Sequence, residues 1–428
     1  MRHCHSSSAL PRALSAILIA AAAALSAARA TAEAAPPAAA PPVIEAPSAS
    51  DLAEIQRALG ADRAAATPPP DPPRVELPSA AQRAIAPLNP SLSAVADFAL
   101  AAFSRDQNLQ TGGHDPTQSG FNLQGLELTI GADVDPYFKF VTHLVFGAEG
   151  FELEEAYAST TALPGSLELR AGKFLTRFGR ANASHPHQWD FVDQPFVLGK
   201  MLGPDGNRGL GAELSWLSPL PWYLEVVLSE TMANDACCAR SFYGDDPSPV
   251  RGPQDLQTTL AIKQFHALSD DWSLATGLSG AIGPSPATPH ALGTTILGAD
   301  LYLKYRPITR QSFTTVSLQA EALGRRRETA VGTLTDQGIY AQALWRFAQR
   351  WSTAARYEIG NGPSGDPLDP EWAGDRQRVA ANVTFFPTEF SRLRLQGSTD
   401  LPSWLPHPIF AGFLAVEFVI GAHGAHKF

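Results

Sequence analysis

An alternation of period two, renewed in segment after segment from residue 91 onward, constrains this chain more than any other feature. In YFKFVTHLVF (137–146), Phe138, Phe140, Thr142, Leu144 and Phe146 fall on one side and Lys139, Val141, His143 and Val145 on the other. Side chains of a β-strand point alternately to its two faces. The pattern also sets Trp222, Leu224, Val226 and Leu228 against Tyr223, Glu225, Val227 and Ser229. It returns as Ala299, Leu301, Leu303 and Tyr305 against Asp300, Tyr302, Lys304 and Arg306. In the final segment Leu414, Val416, Phe418 and Ile420 lead on one face to His426 and Phe428, opposite Ala415, Glu417 and Val419.

A soluble sandwich alternates too. Four further features favour strands that cross a membrane. The polar faces carry long charged side chains repeatedly, as a wet inner wall does. Aromatics gather where strands end: Trp216 and Trp222 flank SPLP, and Trp345, Phe347 and Trp351 flank AQR, as at a membrane interface. Connections alternate short and long, with long ones near 104–119, 175–207, 231–255, 281–293, 325–336 and 360–376. Residues 1–30 read as a secretory signal peptide: Arg2 and Arg12, an apolar run over 13–25, then Ala28-Arg29-Ala30. No later run reaches the roughly 18 apolar residues of a spanning helix, and β-strands in hydrocarbon must close on themselves.

The expected fold is therefore all-β, a transmembrane antiparallel barrel of about sixteen strands. They begin near 92, 121, 137, 151, 166, 208, 222, 256, 272, 294, 312, 337, 352, 377, 391 and 409. Fourteen or eighteen strands also fit the spacing. An even number puts both termini and the short turns in the periplasm. One segment resists the pattern: in FELEEAYAS (151–159), Glu152 and Glu154 take the inner face but Glu155 the outer. Residues 31–90 are Ala- and Pro-rich, a periplasmic lead-in with a short amphipathic helix over 50–60, and the barrel spans 91–428.

Composition narrows the function. The net charge is −10 with no compensating basic run, which argues against nucleic acid as a partner. Cys237 and Cys238 are adjacent, form a vicinal disulfide or stay reduced, and make no disulfide scaffold. No cofactor motif and no catalytic constellation emerge. Ser184, His187 and Asp190 are suggestive only by adjacency, and no enzyme is expected.

A barrel this wide encloses a lumen. The expected pore-lining residues are Lys139, His143, Arg170, Glu213, Glu225, Lys263, Asp300, Lys304, Glu321, Arg346, Arg356, Glu358, Arg392, Arg394 and Glu417. Eight positive against six negative charges lean weakly towards anions. The longest non-periodic insert, 172–209, is a candidate constriction loop through Lys173, Arg177, Arg180, His185, His187, Asp190 and Asp193. His185 and His187 with Asp190 form a set of the kind that holds a divalent metal. Loop hydrogen bonding by the histidines is the plainer reading, and no metal is assigned. His423 and His426, three apart, face opposite sides of an extended strand. RRRE (325–328) reads as a solvated or sugar-binding loop.

NPSLSAVADF (89–98), LEEAYAS (153–159), LRAGKFLTRFGR (169–180) and HPHQWDFVDQP (185–195) resemble the outer-membrane porin superfamily, especially its phosphate-selective porin-like group. The GAHGAHKF ending also resembles proteins labelled zinc-regulated TonB-dependent outer membrane receptors. The resemblance implies a Gram-negative outer membrane, with lipid and lipopolysaccharide around the barrel and a homotrimer among its assembly states. It implies that Phe428 is the C-terminal signal read by the barrel-assembly machinery. The expected function is passive diffusion of small hydrophilic solutes. A specific receptor or transporter for a metal complex or small solute is one alternative, and a structural, non-conducting barrel another.

Overall fold

The structure, a computed structural model, describes residues 90–421 apart from 107, 149, 236, 245–249, 286–292, 309–312 and 331. The expected signal peptide over 1–30 and the expected lead-in helix over 50–60, with His423, His426 and Phe428, lie outside the described residues. From Pro90 onward the chain is one compact unit.

Sixteen strands form a closed barrel in which every neighbour in sequence is a neighbour in space. They are β1 (Ser91–Phe103), β2 (Gly120–Asp133), β3 (Phe138–Gly147), β4 (Gly150–Thr160), β5 (Leu167–Leu175), β6 (Arg208–Leu217), β7 (Tyr223–Met232) and β8 (Leu256–Ala267). The second half holds β9 (Trp272–Pro284), β10 (Gly293–Tyr305), β11 (Thr315–Thr329), β12 (Gly332–Ala348), β13 (Trp351–Gly362), β14 (Gly374–Thr388), β15 (Ser391–Pro402) and β16 (Ile409–Gly421). β1 pairs antiparallel with β16 from Ser93↔Gly421 to Phe103↔Ala411, so the sheet has no edge. In hydrocarbon that closure satisfies backbone groups that water does not reach.

The outer surface is apolar. Leu414, Phe418 and Ile420 of β16 point outward, while Phe413, Glu417 and Val419 are buried on the inner face. Trp216, Trp222, Trp272, Trp345 and Trp351 are exposed beside the short turns, an aromatic belt at one rim.

One expected loop is a strand hairpin. Residues 325–336 belong to β11 and β12, joined through 330–331. Arg325 lies opposite Asp336 in the register, and its Nε donates to Asp336 Oδ1 at 2.9 Å. Arg325 and Arg327 are buried and reach Asp366, while Arg326 points out to Glu328. The charges of RRRE thus alternate across the wall, with Arg325 and Arg327 turned inward and Arg326 and Glu328 outward. The resistant fourth strand has an equally local cause. Glu155 pairs with His143 and Leu153 with Leu144, so Glu154 is an extra, bulged residue. A bulge shifts the alternation by one, and both Glu154 and Glu155 become buried.

The lumen is not empty. Residues 176–207, between β5 and β6, fold into it and include a one-and-a-half-turn helix, α1 (Phe196–Met201), all six residues of which are buried. A helix apolar nearly all round belongs in a core. Phe196, Val197, Leu198 and Met201 pack with Phe178, with Ala239, Phe242 and Tyr243 of the 233–255 connection, with Trp372, and with Ile296, Leu323 and Tyr340 of the wall. Inner-wall glycines give the insert room. A Cβ on Gly298 would lie 2.8 Å from the Phe178 ring, and one on Gly338 2.8 Å from the Val197 methyls. Gly338→Val should therefore overpack this seat by about 1–3 kcal/mol. Limited proteolysis should cut the insert faster while the barrel still migrates as a folded species on unheated gels. An unchanged cleavage rate would contradict this seating.

Candidate functional site

The insert is tied to the wall around most of the barrel. At its start, Arg177 donates to Glu213 of β6 at 2.7 Å and to Glu225 of β7 at 2.6 Å. Gly179 accepts from Lys263 of β8 at 2.5 Å and donates to Ser279 of β9 at 2.9 Å. The backbone N–H groups of Arg180 and Ala181 donate to Glu321 of β11 at 3.1 and 2.8 Å. Phe196 N donates to Glu358 of β13 at 2.6 Å, capping the otherwise unsatisfied start of α1.

Asp193 is the central anchor. Its carboxylate accepts from Arg356 at 2.9 Å, Arg378 at 2.8 Å and Gln396 at 2.6 Å, thereby joining β13, β14 and β15. Burial works against its charge, but Arg356 and Arg378 outweigh burial and hold the carboxyl below the ordinary range. Asp115, from the β1–β2 connection, accepts from Gly112 N and Gln194 N, both at 2.8 Å. Burial, then the Asp193 charge, pushes Asp115 up to about 6.

On the β2–β4 side the insert meets a different chemistry. His185 Nε2 lies 2.9 Å from Glu155 Oε2, and His185 Nδ1 lies 3.3 Å from Glu154 and 3.5 Å from Glu127. His143 Nδ1 is 2.9 Å from Glu127 Oε1, and His187 Nδ1 is 3.1 Å from Glu127 Oε2. The rings of His143 and His185 stack with centroids 4.3 Å apart, and those of His185 and His187 at 5.7 Å. Burial opposes charge on His185, but the carboxylates of Glu127, Glu154 and Glu155 outweigh it and raise its proton affinity well above that of an ordinary imidazole.

Beneath the insert, towards the short-turn end, a cavity of about 780 Å³ remains. His143, Lys263, Asp300, Lys304, Arg346, Arg356, Arg392 and Arg394 border it from the wall, and Arg180, His185, His187, Asp190 and Asp193 from the insert. Arg180 lies over the Tyr302 ring at 3.7 Å. The other expected lining residues lie elsewhere. Lys139 sits at the rim beside Asp133, and Arg170 pairs with Glu213 at 2.9 Å. Glu213, Glu225, Glu321 and Glu358 hold the insert, and Glu417 pairs with Arg392. Lys173 is part of β5 and faces Asp235 at 3.4 Å. Asp190 turns to Gln342 of β12 while His187 turns to Glu127 of β2, so the sequence-adjacent set of Ser184, His187 and Asp190 is divided between distant parts of the wall. Cys237 and Cys238 form a vicinal disulfide.

Residues that the sequence reading passed over matter as much. Glu127 lies between Leu126 and Leu128, so the alternation itself placed it on the inner face. Arg376, Arg378 and Asp400 form a buried ladder at the start of β14 and the end of β15. The spacing of RQR was the available signal.

No protein-family profile matches the chain. A protein of Aquifex aeolicus, described as uncharacterized, is 31 % identical over 382 residues, covering 79 % of this chain and 80 % of its own. The chain belongs to the same family. Solved structures of similar fold include OprB of Pseudomonas putida (TM-score 0.55, 10 % identity, 77 % of this chain and 94 % of that one). The outer membrane channel DcaP of Acinetobacter baumannii has TM-score 0.52 and 11 % identity over 77 % and 97 % of the two chains. An anion-selective porin of Comamonas acidovorans has TM-score 0.51 and 11 % identity over 77 % and 99 %. The family member thus has the fold of outer-membrane porins.

Two expectations follow. Removing Asp193 takes the shared partner from buried Arg356 and Arg378, which keep Glu358 and Asp400, so the loss is below the roughly 3–5 kcal/mol of a fully stranded buried charge. Asp193→Ala should then free the insert, read as faster hydrogen exchange at 190–200 with exchange in the barrel strands unchanged. The second concerns pH. An unfolded aspartate titrates near about 3.9, and Asp115 in the fold is raised to about 6. The fold favours its neutral form, so this contribution is present below about pH 4 and is lost as pH rises through about 6. Urea titrations across that window should show wild type losing on the order of 2 kcal/mol relative to Asp115→Asn. Parallel pH curves would refute it.

Proposed function

We propose that this protein is a porin-like channel of the outer membrane through which small hydrophilic solutes diffuse passively, with the insert 176–207 setting the conductance and anions favoured. The observation that carries the reading is the cavity at the short-turn end. Arg180, Lys263, Lys304, Arg346, Arg356, Arg392 and Arg394 border it, against Asp190, Asp193, Asp205 and Asp300 and, beside the histidines, Glu127 and Glu154. Cations on a low-dielectric wall concentrate anions near them. The fold shared with porins supports the channel reading, and the weak preference for anions is its finer part.

One observation favours a second reading, a barrel that does not conduct. The apolar cluster that includes Phe178, Phe196, Phe242 and Trp372 is buried inside the barrel. Planar-bilayer recording of the refolded mature protein across a salt gradient separates the two. A channel gives stable open steps, and a reversal potential on the anion side would support the finer part. Arg180→Glu combined with Lys304→Glu should move that potential towards cations. Reproducible insertion with no open steps would establish the second reading.

A further inference from the structure

The cluster of histidines and carboxylates between the insert and β2–β4 differs from every other anchor of the insert. Elsewhere a buried wall carboxylate meets an arginine or accepts backbone N–H groups: Glu213 faces Arg170 and Arg177, Asp400 faces Arg376 and Arg378, and Glu321 accepts from two backbone amides. Glu127 and Glu155 are 6 % and 5 % exposed, and their ion-pair contacts are all with imidazoles. Glu154 shares its one arginine, Arg208, with Glu152. Three carboxylates buried together without matching fixed cations must be balanced by protons on the imidazoles or by a bound cation.

The donor atoms are already gathered. Glu127, His143 and His185 each offer one ligand atom, and these lie within 4.8 Å of one another. His185 is 6 % exposed and Glu154 3 %, and no hydrogen bond reaches either His185 Nδ1 or the Glu154 Oε2 beside it. These two atoms are 3.3 Å apart, close to the spacing of two ligands on one tetrahedral zinc, about 3.3 Å for bonds of about 2.0–2.1 Å. The outer contacts fit as well. Glu155 takes the other nitrogen of His185 at 2.9 Å and is itself held by Leu175 N at 2.7 Å. A carboxylate on the far side of a ligating imidazole fixes its tautomer and leaves the near nitrogen free for metal. Glu154 reaches the cluster because it is bulged from β4, and bulges often re-aim a side chain beside a site.

We propose that Glu127, His143 and His185, with Glu154 as fourth donor, bind one divalent transition metal of the zinc class, which clamps the lumen insert to β2–β4. Mixed imidazole and carboxylate donors suit Zn²⁺ and its neighbours rather than Ca²⁺ or Mg²⁺, which take oxygen sets. The clamp does not depend on whether the barrel conducts.

The test is a Zn²⁺ titration by calorimetry on the folded, chelator-stripped full mature chain, with the visible absorption of Co²⁺ in the same protein. Wild type should take up one ion per chain, and Co²⁺ should give the intense bands of a tetrahedral site. Glu127→Gln and His143→Gln should abolish that binding. Glu155→Gln, which alters only the orienting partner, should weaken it about 10–100-fold. His266→Gln on distant β8 should leave it unchanged. Absence of saturable uptake by wild type overturns the proposal. So does uptake that survives Glu127→Gln and His143→Gln, which would place the ion on other histidines such as His423 and His426. Should a variant fail to fold, the wild-type Co²⁺ spectrum and Glu155→Gln still decide.

Discussion

Everything in this structure follows from the absence of water around the strands. A backbone polar group left unpaired in hydrocarbon costs several kcal/mol, so the sheet must close. Here β1 and β16 pair along eleven residues. Closure in turn divides the side chains into two populations with different solvents. The outward set is apolar because lipid requires it. The inward set is free to be charged, and the chain uses that freedom in nearly every strand of its second half.

A charged inner wall is a matching problem for whatever enters it. The insert meets that wall with two kinds of contact. Burial of Phe178, Phe196, Val197 and Met201 supplies most of the adhesion, at about 1.5–3 kcal/mol for each large side chain removed from water. The ion pairs of Arg177 and Asp193 add less net stability, since desolvation offsets most of their attraction. What they add is position. Asp193 reaches three strands at once, and a slip of the insert by one residue would take that shared partner from two buried arginines, leaving them only Glu358 and Asp400. The histidine cluster does the same for β2–β4 with softer groups.

The division of the lumen has a functional consequence. Towards the long loops the lumen holds an apolar cluster beside the buried ion pairs of Arg325, Arg327, Arg376 and Arg378, and towards the short turns it keeps a charged cavity. The surface between them is the insert itself. Any solute path through the barrel is therefore set by how firmly Asp193, Glu358, Glu321 and the histidine cluster hold residues 176–207. Those anchors come from strands far apart in the chain.

The barrel was legible in the amino-acid sequence. Period two, the alternation of short and long connections and the aromatic rims are local properties, and local properties survive in a single chain read without partners. They located all sixteen strands, and they placed residues such as Lys263, Asp300 and Arg356 on the inner face. Where local pattern failed, the reason was also physical. The bulge at Glu154 breaks the period by one residue and depends on pairing with β3. RRRE resembled a loop because its partners, Asp336 and Asp366, lie across a hairpin and in another connection. Only the tertiary structure decided what fills the lumen, which charges remain free to face it, and that Glu127, His143, Glu154 and His185 meet. Those contacts join residues up to about two hundred positions apart, brought together by barrel closure and the folding-in of the insert, and no spacing along the chain encodes them.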